Sequence, residues 1–244
     1  ALTLGGGDVS LLQLAGAYGA LANGGARVFP VAIARIVDST GTTICQQPLR
    51  PSDRKSDPPL CQQPPENWGQ PVISPETAFL VSDILADNAA RTPAFGAASP
   101  LLLSFPAAVK TGTTNEFRDN WTIGYTPDLV AGVWVGNADY TPMLRTTGIT
   151  GAAPIWRDFM EAALAGRASP FARPQSIVEK TICGLSGTEP SDLCPPDTVR
   201  TELFAATNGP LPKDRDLRQR VFIDPFTALR QSADCAKYYQ PDMV

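Results

Sequence analysis

The sequence predicts an α/β fold of the α+β type, in which helices flank an antiparallel sheet. Three consecutive segments have the alternating pattern of β-strands, roughly Phe105–Thr113, Asn120–Tyr125 and Leu129–Asn137. A tight turn at 126–128 joins the last two, and apolar residues at helical spacing occur both before and after the three strands. Strands joined by short turns pair antiparallel, so the helices are expected to cover one sheet.

The residues before the sheet first predict a helix and then a β-hairpin. Ser10 is a suitable N-cap, residues 23–25 (Asn-Gly-Gly) form a stop signal, and apolar residues between them recur at helical spacing. Alternation over 31–37, a Ser-Thr-Gly turn and a return strand indicate the hairpin. The glycines at 5–7 lack the lysine and spacing of a phosphate-binding loop, so we interpret them as a turn.

A long insertion and a second helix connect the hairpin to the sheet. The stretch from about 46 to 71 is rich in Pro, Gln and Ser and is predicted to be an irregular loop. Ser74 as N-cap and Pro75 in the first turn predict a helix over 74–90. A loop containing Pro93 is expected to lead into the first strand of the sheet.

The part after the sheet changes in composition. A helix is predicted over about 153–165, followed by Pro-rich and polar sequence with short strands near 176–182 and 199–204. The last forty residues have a weak apolar pattern and are expected to be partly disordered. We therefore expect a domain over 1–168 and a C-terminal extension over 169–244 with short strands, partly irregular.

Composition and charge exclude several classes of function. The 244 residues carry a net charge of −4 and contain no basic block, which argues against nucleic-acid binding. The longest apolar runs, such as Leu101–Leu103 and Leu129–Val135, are too short to span a bilayer. The chain begins at Ala1 and enters a patterned segment at once, so we expect it to be a piece of a longer protein.

The absence of histidine excludes several catalytic mechanisms. Ser-His-Asp and Cys-His catalysis and histidine-based metal sites are ruled out, because the chain has no His. Acid–base chemistry must therefore use Lys, Asp, Glu, Tyr or a hydroxyl group. Lysine becomes a conspicuous candidate.

Five cysteines raise the question of disulfides. The spacings favour the pairs Cys45–Cys61 and Cys183–Cys194, each closing a Pro-rich loop in an oxidising compartment, with Cys235 left over. Free buried thiols remain the alternative. A zinc site would need four of five dispersed thiols, so no metal site is expected.

The tripeptide Lys110-Thr111-Gly112 is the candidate for chemistry. It occurs as a functional unit in serine acyl-enzymes that use lysine instead of histidine. The ammonium group provides a positive field for a carboxylate, and the glycine allows a substrate to approach closely. The N–H of Thr113 can face a developing oxyanion, a contact whose loss costs about 2.7–4 kcal/mol. The alternative is an exposed lysine before a strand-end glycine, without a function.

The sequence around this tripeptide resembles a known family. "KTGTTNEFRDNWTIGYTPDLVAGVWVGN" resembles the C-terminal half of the transpeptidase domain of class A penicillin-binding proteins, the bifunctional cell-wall synthases. "LTLGGGDVSLLQLAGAYGALANGG", "VISPETAFLVSDIL" and "TGITGAAPIWRDFMEAALAG" resemble helices of the same family, so the similarity covers about Leu2–Arg167 and, more loosely, the sequence through Phe204. The resemblance implies a serine-lysine acyl-transferase (β-lactamase-like) fold, incomplete at its N-terminus, with a small β-rich appendage.

The resemblance also implies an activity and roles for particular residues. Family members are peptidoglycan D,D-transpeptidases that cross-link D-Ala-D-Ala stem peptides through a serine acyl-enzyme, are acylated by β-lactams and use no cofactor. Lys110, Thr111 and Gly112 would be the third family motif. Thr111 and Thr113 would bind the substrate carboxylate, and the Thr113 N–H would form half of the oxyanion hole. Thr114 would brace the strand end, with a substrate role left open.

One departure from the family pattern concerns the nucleophile. The family supplies it from an S-x-x-K motif, followed by S-x-N, and both are expected before residue 1. The one S-x-x-K match here, Ser52 to Lys55, lies between Pro51 and Pro58, where no helix can align the two side chains, so we interpret it as a chance match. No S-x-N occurs. The parent protein would carry a membrane anchor and a glycosyltransferase domain and act on the extracytoplasmic (periplasmic or external) side.

Two alternatives stay open, and three neighbouring features receive structural interpretations. The chain could instead be a non-catalytic β-lactam or cell-wall sensor module, or a β-lactamase or carboxypeptidase of the same superfamily, which the flanking sequence disfavours. Arg118 and Asp119 are interpreted as a structural pair, and Glu116 as part of a solvated loop. Three tryptophans are expected to fill the core between sheet and helices: Trp121, Trp134 and Trp156.

Overall fold

Four α-helices and seven strands make up the part of the chain that the structure, a computed structural model, describes: residues 7–48, 58–224 and 227–230. They belong to two units, Ala1–Pro174 and Gln175–Val244. No helix within these described ranges is long and apolar enough to cross a membrane. The Ser52–Lys55 match, Cys235 and much of the weakly patterned C-terminal sequence lie outside the described residues.

The first unit contains a hairpin, four helices and a three-stranded sheet. In chain order the elements are α1 (Leu11–Ala22), β1 (Arg35–Val37), β2 (Thr43–Gln46), α2 (Pro75–Ala86), α3 (Asn88–Phe95), β3 (Ala108–Thr113), β4 (Asp119–Tyr125), β5 (Val130–Gly136) and α4 (Ala152–Leu164). The mixed fold with an antiparallel sheet and flanking helices is therefore confirmed.

The helices begin where the sequence provides caps. Ser10 and Gln13 form a reciprocal capping box at the start of α1, and the Ser74 hydroxyl accepts the Thr77 N–H at the start of α2. The prediction of one helix over 74–90 followed by a loop is wrong, because α2 ends at Ala86 and Asp87 caps a further helix, α3. The Asp87 carboxylate accepts two N–H groups of the first turn of α3, at 2.8 and 3.1 Å.

The sheet has the order β3-β4-β5, with both pairs antiparallel. A turn at Thr126 joins β4 to β5. The Thr126 hydroxyl accepts the N–H groups of Asp128 and Leu129, both at 3.2 Å. Strand β3 lies at an edge and pairs only with β4 among the described residues. The candidate tripeptide is therefore on an edge strand.

The main core lies between the sheet and α4. It contains alternate residues of the segment that leads into β3 together with buried residues of β5 and α4: Leu101, Leu103, Phe105, Ala107, Val109, Ala131, Ala153, Trp156 and Met160. On the other face, α1 and α2 reach the wholly buried Tyr125, whose hydroxyl is 2.9 Å from that of Ser82. The expected core position is confirmed for Trp156, whereas Trp134 is 39% exposed, so its expected core position is wrong.

Two disulfides close the loops that the cysteine spacing suggests. Cys45 of β2 bonds to Cys61 and ties the Pro-rich insertion to the hairpin. In the second unit, β6 (Ile177–Cys183) and β7 (Val199–Ala205) form an antiparallel pair, and Cys183 bonds to Cys194 in the connecting segment. Each disulfide restricts the unfolded chain and so lowers the conformational entropy that is lost on folding.

Candidate active site

Strand β3 presents its polar residues on both sides of an unpaired edge. Lys110 and Gly112 lie on the face covered by α1 and α2, and Thr111 and Thr113 lie on the face covered by α4, because side chains alternate along a strand. The register pairs Thr111 with Thr122 and Thr113 with Asn120. A group held at the edge is therefore within reach of side chains from both faces.

The backbone of the two threonines points away from β4. The Thr114 N–H donates to the Asp119 carbonyl at 3.0 Å, which makes these two residues a hydrogen-bonded pair of the ladder. Since hydrogen-bonded and non-hydrogen-bonded pairs alternate in an antiparallel sheet, the N–H and C=O of Thr113 and Thr111 face the unpaired edge. The Thr111 carbonyl accepts a bond there from Lys110 Nζ at 2.6 Å.

A small cavity of about 180 Å³ adjoins Lys110 and Thr111. Helices α2 and α3 supply its other wall, through apolar side chains such as Ile84 and through Asp87 and Arg91. Partial burial lowers the pKa of the Arg91 guanidinium, while the charge of Asp87 acts in the opposite direction. Lys110 and Arg91 bring two positive charges to this cavity against the one negative charge of Asp87, so positive charge dominates this side of the edge.

The Thr113 hydroxyl contacts the loop that follows β5, the strand at the opposite edge of the sheet. Gly148 donates its N–H to Thr113 Oγ1 at 3.0 Å, and its carbonyl accepts the Thr122 hydroxyl at 3.2 Å. No sequence pattern identifies Gly148 or Thr122 as site residues. Thirty-five positions separate Gly148 from Thr113, and the two glycines of the segment TTGITG were the only signal of an unusual backbone approach.

The end of β3 is fixed by hydrogen bonds to Asp119. Its carboxylate accepts the Thr114 hydroxyl at 3.0 Å and the Trp134 indole N–H at 2.9 Å. Its own N–H donates to Thr114 Oγ1 at 2.8 Å. These bonds support a structural role for Asp119 and give the indole N–H of the partly exposed Trp134 a partner at the surface.

The turn between β3 and β4 is held by Arg118. The guanidinium pairs with Glu116, donates to the Tyr140 carbonyl and lies 5.1 Å from the centre of the Tyr140 ring. Glu116 and Phe117 both have positive φ, at 58° and 57°, a backbone conformation that costs energy for residues with side chains. The Arg118 contacts bridge this turn to the segment after β5.

Comparison with known proteins shows which family has this arrangement. Residues 2–161 match the penicillin binding protein transpeptidase domain, and residues 173–210 match the C-terminal domain of penicillin-binding protein 1A. The chain belongs to the penicillin-binding protein transpeptidase family. The first match includes α1 to α3, β3 to β5 and all but the last three residues of α4.

Individual relatives of this family are considerably longer than the chain. Penicillin-binding protein 1A of Clostridium tetani is 32% identical over 200 residues, which cover 79% of this chain and 23% of that protein. The Neisseria lactamica protein of the same name is 36% identical over 168 residues, 68% of this chain and 19% of its own length. The chain thus spans about a fifth of these curated relatives.

A solved structure of the same family has a similar fold. The crystal structure of penicillin-binding protein 1A from Haemophilus influenzae superposes with a TM-score of 0.65 at 26% identity, covering 86% of this chain and 34% of that chain. The β-lactamase-like fold expected of a penicillin-binding transpeptidase is therefore confirmed. Lys110, Thr111, Gly112 and Thr113 lie together on one edge strand of this fold, and Thr114 follows at its end.

Proposed function

We propose that this chain forms the substrate-binding edge of a peptidoglycan D,D-transpeptidase that cleaves the D-Ala-D-Ala end of stem peptides, cross-links them and is acylated by β-lactams. The observation that carries the proposal is the position of Lys110, Thr111 and Thr113 on an unpaired edge of the matched domain. The nucleophilic serine and its lysine base would come from a part of the protein outside this sequence.

Strand addition is the first part of the proposed binding mode. An extended peptide can pair with the N–H and C=O groups that Thr111 and Thr113 direct to the edge. Gly112 between them carries no side chain that would obstruct the approach. Thr114 does not take part directly, because its N–H and hydroxyl are both bonded to Asp119.

Recognition of the terminal carboxylate is the second part. Lys110 supplies an ammonium group from one face of the strand, and the hydroxyls of Thr111 and Thr113 are available from the other. Lys110 forms no ion pair with any residue that the structure describes, and its Nζ donates only to the uncharged Thr111 carbonyl, so no carboxylate of the described residues competes with a ligand for it. The Arg91 side chain adds positive charge to the same cavity.

Stabilisation of the transition state is the third part. The serine oxygen would add to the carbonyl carbon of the penultimate D-Ala, and the Thr113 N–H would donate to the resulting oxyanion. Collapse of this intermediate expels the terminal D-Ala, whose amine takes the proton that the serine lost. The acceptor amine then adds to the acyl carbonyl and loses a proton, the bond to the serine oxygen breaks, and that oxygen takes up the proton as the cross-link forms.

The setting of this activity follows from the same proposal. Peptidoglycan lies outside the cytoplasmic membrane, so the site would face the periplasm or the cell exterior. The longer parent protein would carry a membrane anchor and a glycosyltransferase domain.

Labelling with a fluorescent penicillin tests the proposal. In a protein extended upstream to the length of the relatives' transpeptidase domain, Lys110→Ala should lower the labelling rate constant about 100-fold, since charge-assisted hydrogen bonds contribute roughly 1.5–3 kcal/mol each. Lys180→Ala, at an exposed strand position in β6, is the matched control and should label normally. Unchanged labelling of the Lys110→Ala protein would contradict the role given to Lys110. Reversible binding without acylation would instead support a sensor module.

A further inference from the structure

Gly148 connects the candidate substrate edge to the core. Its carbonyl accepts two bonds, from the buried Thr122 hydroxyl at 3.2 Å and from the Ala153 N–H in the first turn of α4 at 2.9 Å. Its own N–H donates to Thr113 Oγ1 at 3.0 Å. The Gly148 peptide groups therefore join α4, β4 and the exposed hydroxyl on β3.

The position of Gly148 is determined by its surroundings. The preceding residue, Thr147, closes a turn by accepting the Gly151 N–H at 2.8 Å, and α4 follows directly. Ala153 and Trp156 of α4 are wholly buried. Buried side chains in protein interiors are closely packed, so α4 cannot shift freely. The N–H that meets Thr113 thus comes from a fixed part of the fold.

No side chain larger than hydrogen fits at position 148. A Cβ there would lie 2.7 Å from the carbonyl oxygens of both Gly112 and Trp121, and 3.1 Å from Thr111 Cβ. The two oxygens belong to the paired strands, so an added methyl group would push the Gly148 loop, and with it the Gly148 N–H, away from β3. The glycine is required by this close approach, because Gly148 is not among the glycines with positive φ.

The bond from Gly148 determines what the Thr113 hydroxyl can do. A hydroxyl has one hydrogen to donate and two lone pairs to accept. Gly148 occupies an acceptor position on Thr113, and no residue that the structure describes accepts the Thr113 hydrogen. Thr113 is exposed, so this hydrogen remains available to a ligand.

We infer that Gly148 is a positioning residue that holds the Thr113 hydroxyl as a donor to the substrate carboxylate and so favours ligands that carry an anion there. This inference rests on the proposed function. The inference goes beyond that function because it assigns part of the specificity for anionic ligands to a loop that itself contacts no ligand. Loss of the Gly148 bond would leave the hydroxyl free to rotate into orientations in which its oxygen, rather than its hydrogen, faces the anion.

The test compares a β-lactam with its neutral ester. In the upstream-extended protein, acylation rate constants are measured by stopped flow with benzylpenicillin and with benzylpenicillin methyl ester, which lacks the carboxylate. Gly148→Ala should slow the reaction of the acid about tenfold, the loss of roughly one charge-assisted hydrogen bond. It should leave the ester within about twofold of its original rate, because the ester offers no anion for this bond to serve. Gly209→Ala, where nothing lies within 4 Å of the added Cβ, is the control.

Variants of Thr113 show whether Gly148 acts through its hydroxyl. Thr113→Val should reproduce the selective loss for the acid, and Thr113→Ser, which keeps the hydroxyl, should retain most of the original rate. Adding Gly148→Ala to Thr113→Val should cause no further loss, because the hydroxyl that Gly148 positions is already gone.

Several outcomes would overturn the inference. Equal slowing of acid and ester by Gly148→Ala, or additive losses in the double variant, would leave Gly148 a structural role only. If Gly148→Ala does not fold, Thr122→Val, which removes the bond to the Gly148 carbonyl, must show the same selective loss, and its absence would refute the inference. A parent protein that reacts with neither compound would refute the proposed function together with this inference.

Discussion

The packing of Trp156 against Gly124 leads to a quantitative prediction for the Gly124→Ala variant. Gly124 lies in β4 opposite Val109, where the wholly buried indole of Trp156 crosses the sheet. An added Cβ would lie 2.2 Å from Trp156 Cζ2, 2.6 Å from Cε2 and 2.9 Å from the Ala108 carbonyl oxygen. Favourable carbon–carbon contacts are about 3.5–4.0 Å, so the methyl group cannot be accommodated without movement of the indole.

The size of the effect follows from this overlap. Overpacking of a core usually lowers the free energy of unfolding by about 1–3 kcal/mol. We expect Gly124→Ala to lie at the upper end of this range, because the Ala108 carbonyl prevents the methyl group from moving away from the indole. Trp156→Phe removes the overlapping ring atoms and should itself cost about 1–2 kcal/mol through the cavity it leaves. In the double variant the methyl group enters that cavity, so the two losses should fall short of additivity by at least about 1 kcal/mol.

Urea unfolding followed by intrinsic fluorescence measures these changes. The four tryptophans, Trp68, Trp121, Trp134 and Trp156, all lie in the first unit, so the signal reports that unit. Gly16→Ala in α1 is the control, since nothing lies within 4 Å of its added Cβ and alanine favours a helix interior by about 0.5–1 kcal/mol. A loss below about 0.5 kcal/mol for Gly124→Ala, or strict additivity with Trp156→Phe, would refute the packing argument.

Two further predictions concern carboxylates that hold loops to the sheet. Asp119→Ala should lower the free energy of unfolding by about 1–2 kcal/mol, because it removes the bonds from Thr114 and Trp134, and Asp119→Asn should recover part of it in the same urea assay. Glu161 accepts the N–H and hydroxyl of Ser104, both at 2.6 Å, and these bonds lower its pKa from the ordinary value of 4.5. A lowered folded-state pKa adds stability above the unfolded value and loses it as the pH falls through the folded value. Glu161→Gln should therefore be less stable than the parent by about 1 kcal/mol at pH 7, and the two should converge as the pH falls through the lowered folded-state pKa of Glu161. A difference that stays constant as the pH falls would contradict the assignment.

The helices and strands were predictable wherever local sequence determines them. Ser10 and Ser74 mark helix starts that depend only on neighbouring residues, and alternation marks β3 to β5. The sequence does not predict α3, because Pro93 interrupts its helical pattern and the cap at Asp87 falls inside the helix predicted over 74–90. The sequence does not reveal the surface position of Trp134, because a large aromatic side chain gives no sign of whether its indole N–H has a surface partner such as Asp119.

The candidate site was predictable only in its contiguous part. Lys110 to Thr113 are neighbours in sequence, so a strand pattern was enough to place them on one edge. The contact between Thr113 and Gly148 depends on how the sheet packs against α4. No local pattern contains that information, and a single sequence shows a glycine without showing what approaches it.

The unpaired edge of β3 must pair with a substrate but not with other protein chains, and Lys110 contributes to both requirements. An exposed strand edge offers N–H and C=O groups to any other chain and promotes aggregation, and lysines on short edge strands counter this. Here Lys110 Nζ binds the Thr111 carbonyl, one of the groups that a substrate strand would use. A substrate must therefore displace that bond, and its carboxylate offers the ammonium group a stronger partner in return. A neutral peptide offers no such exchange, so the same lysine that protects the free edge would also reserve it for anionic ligands.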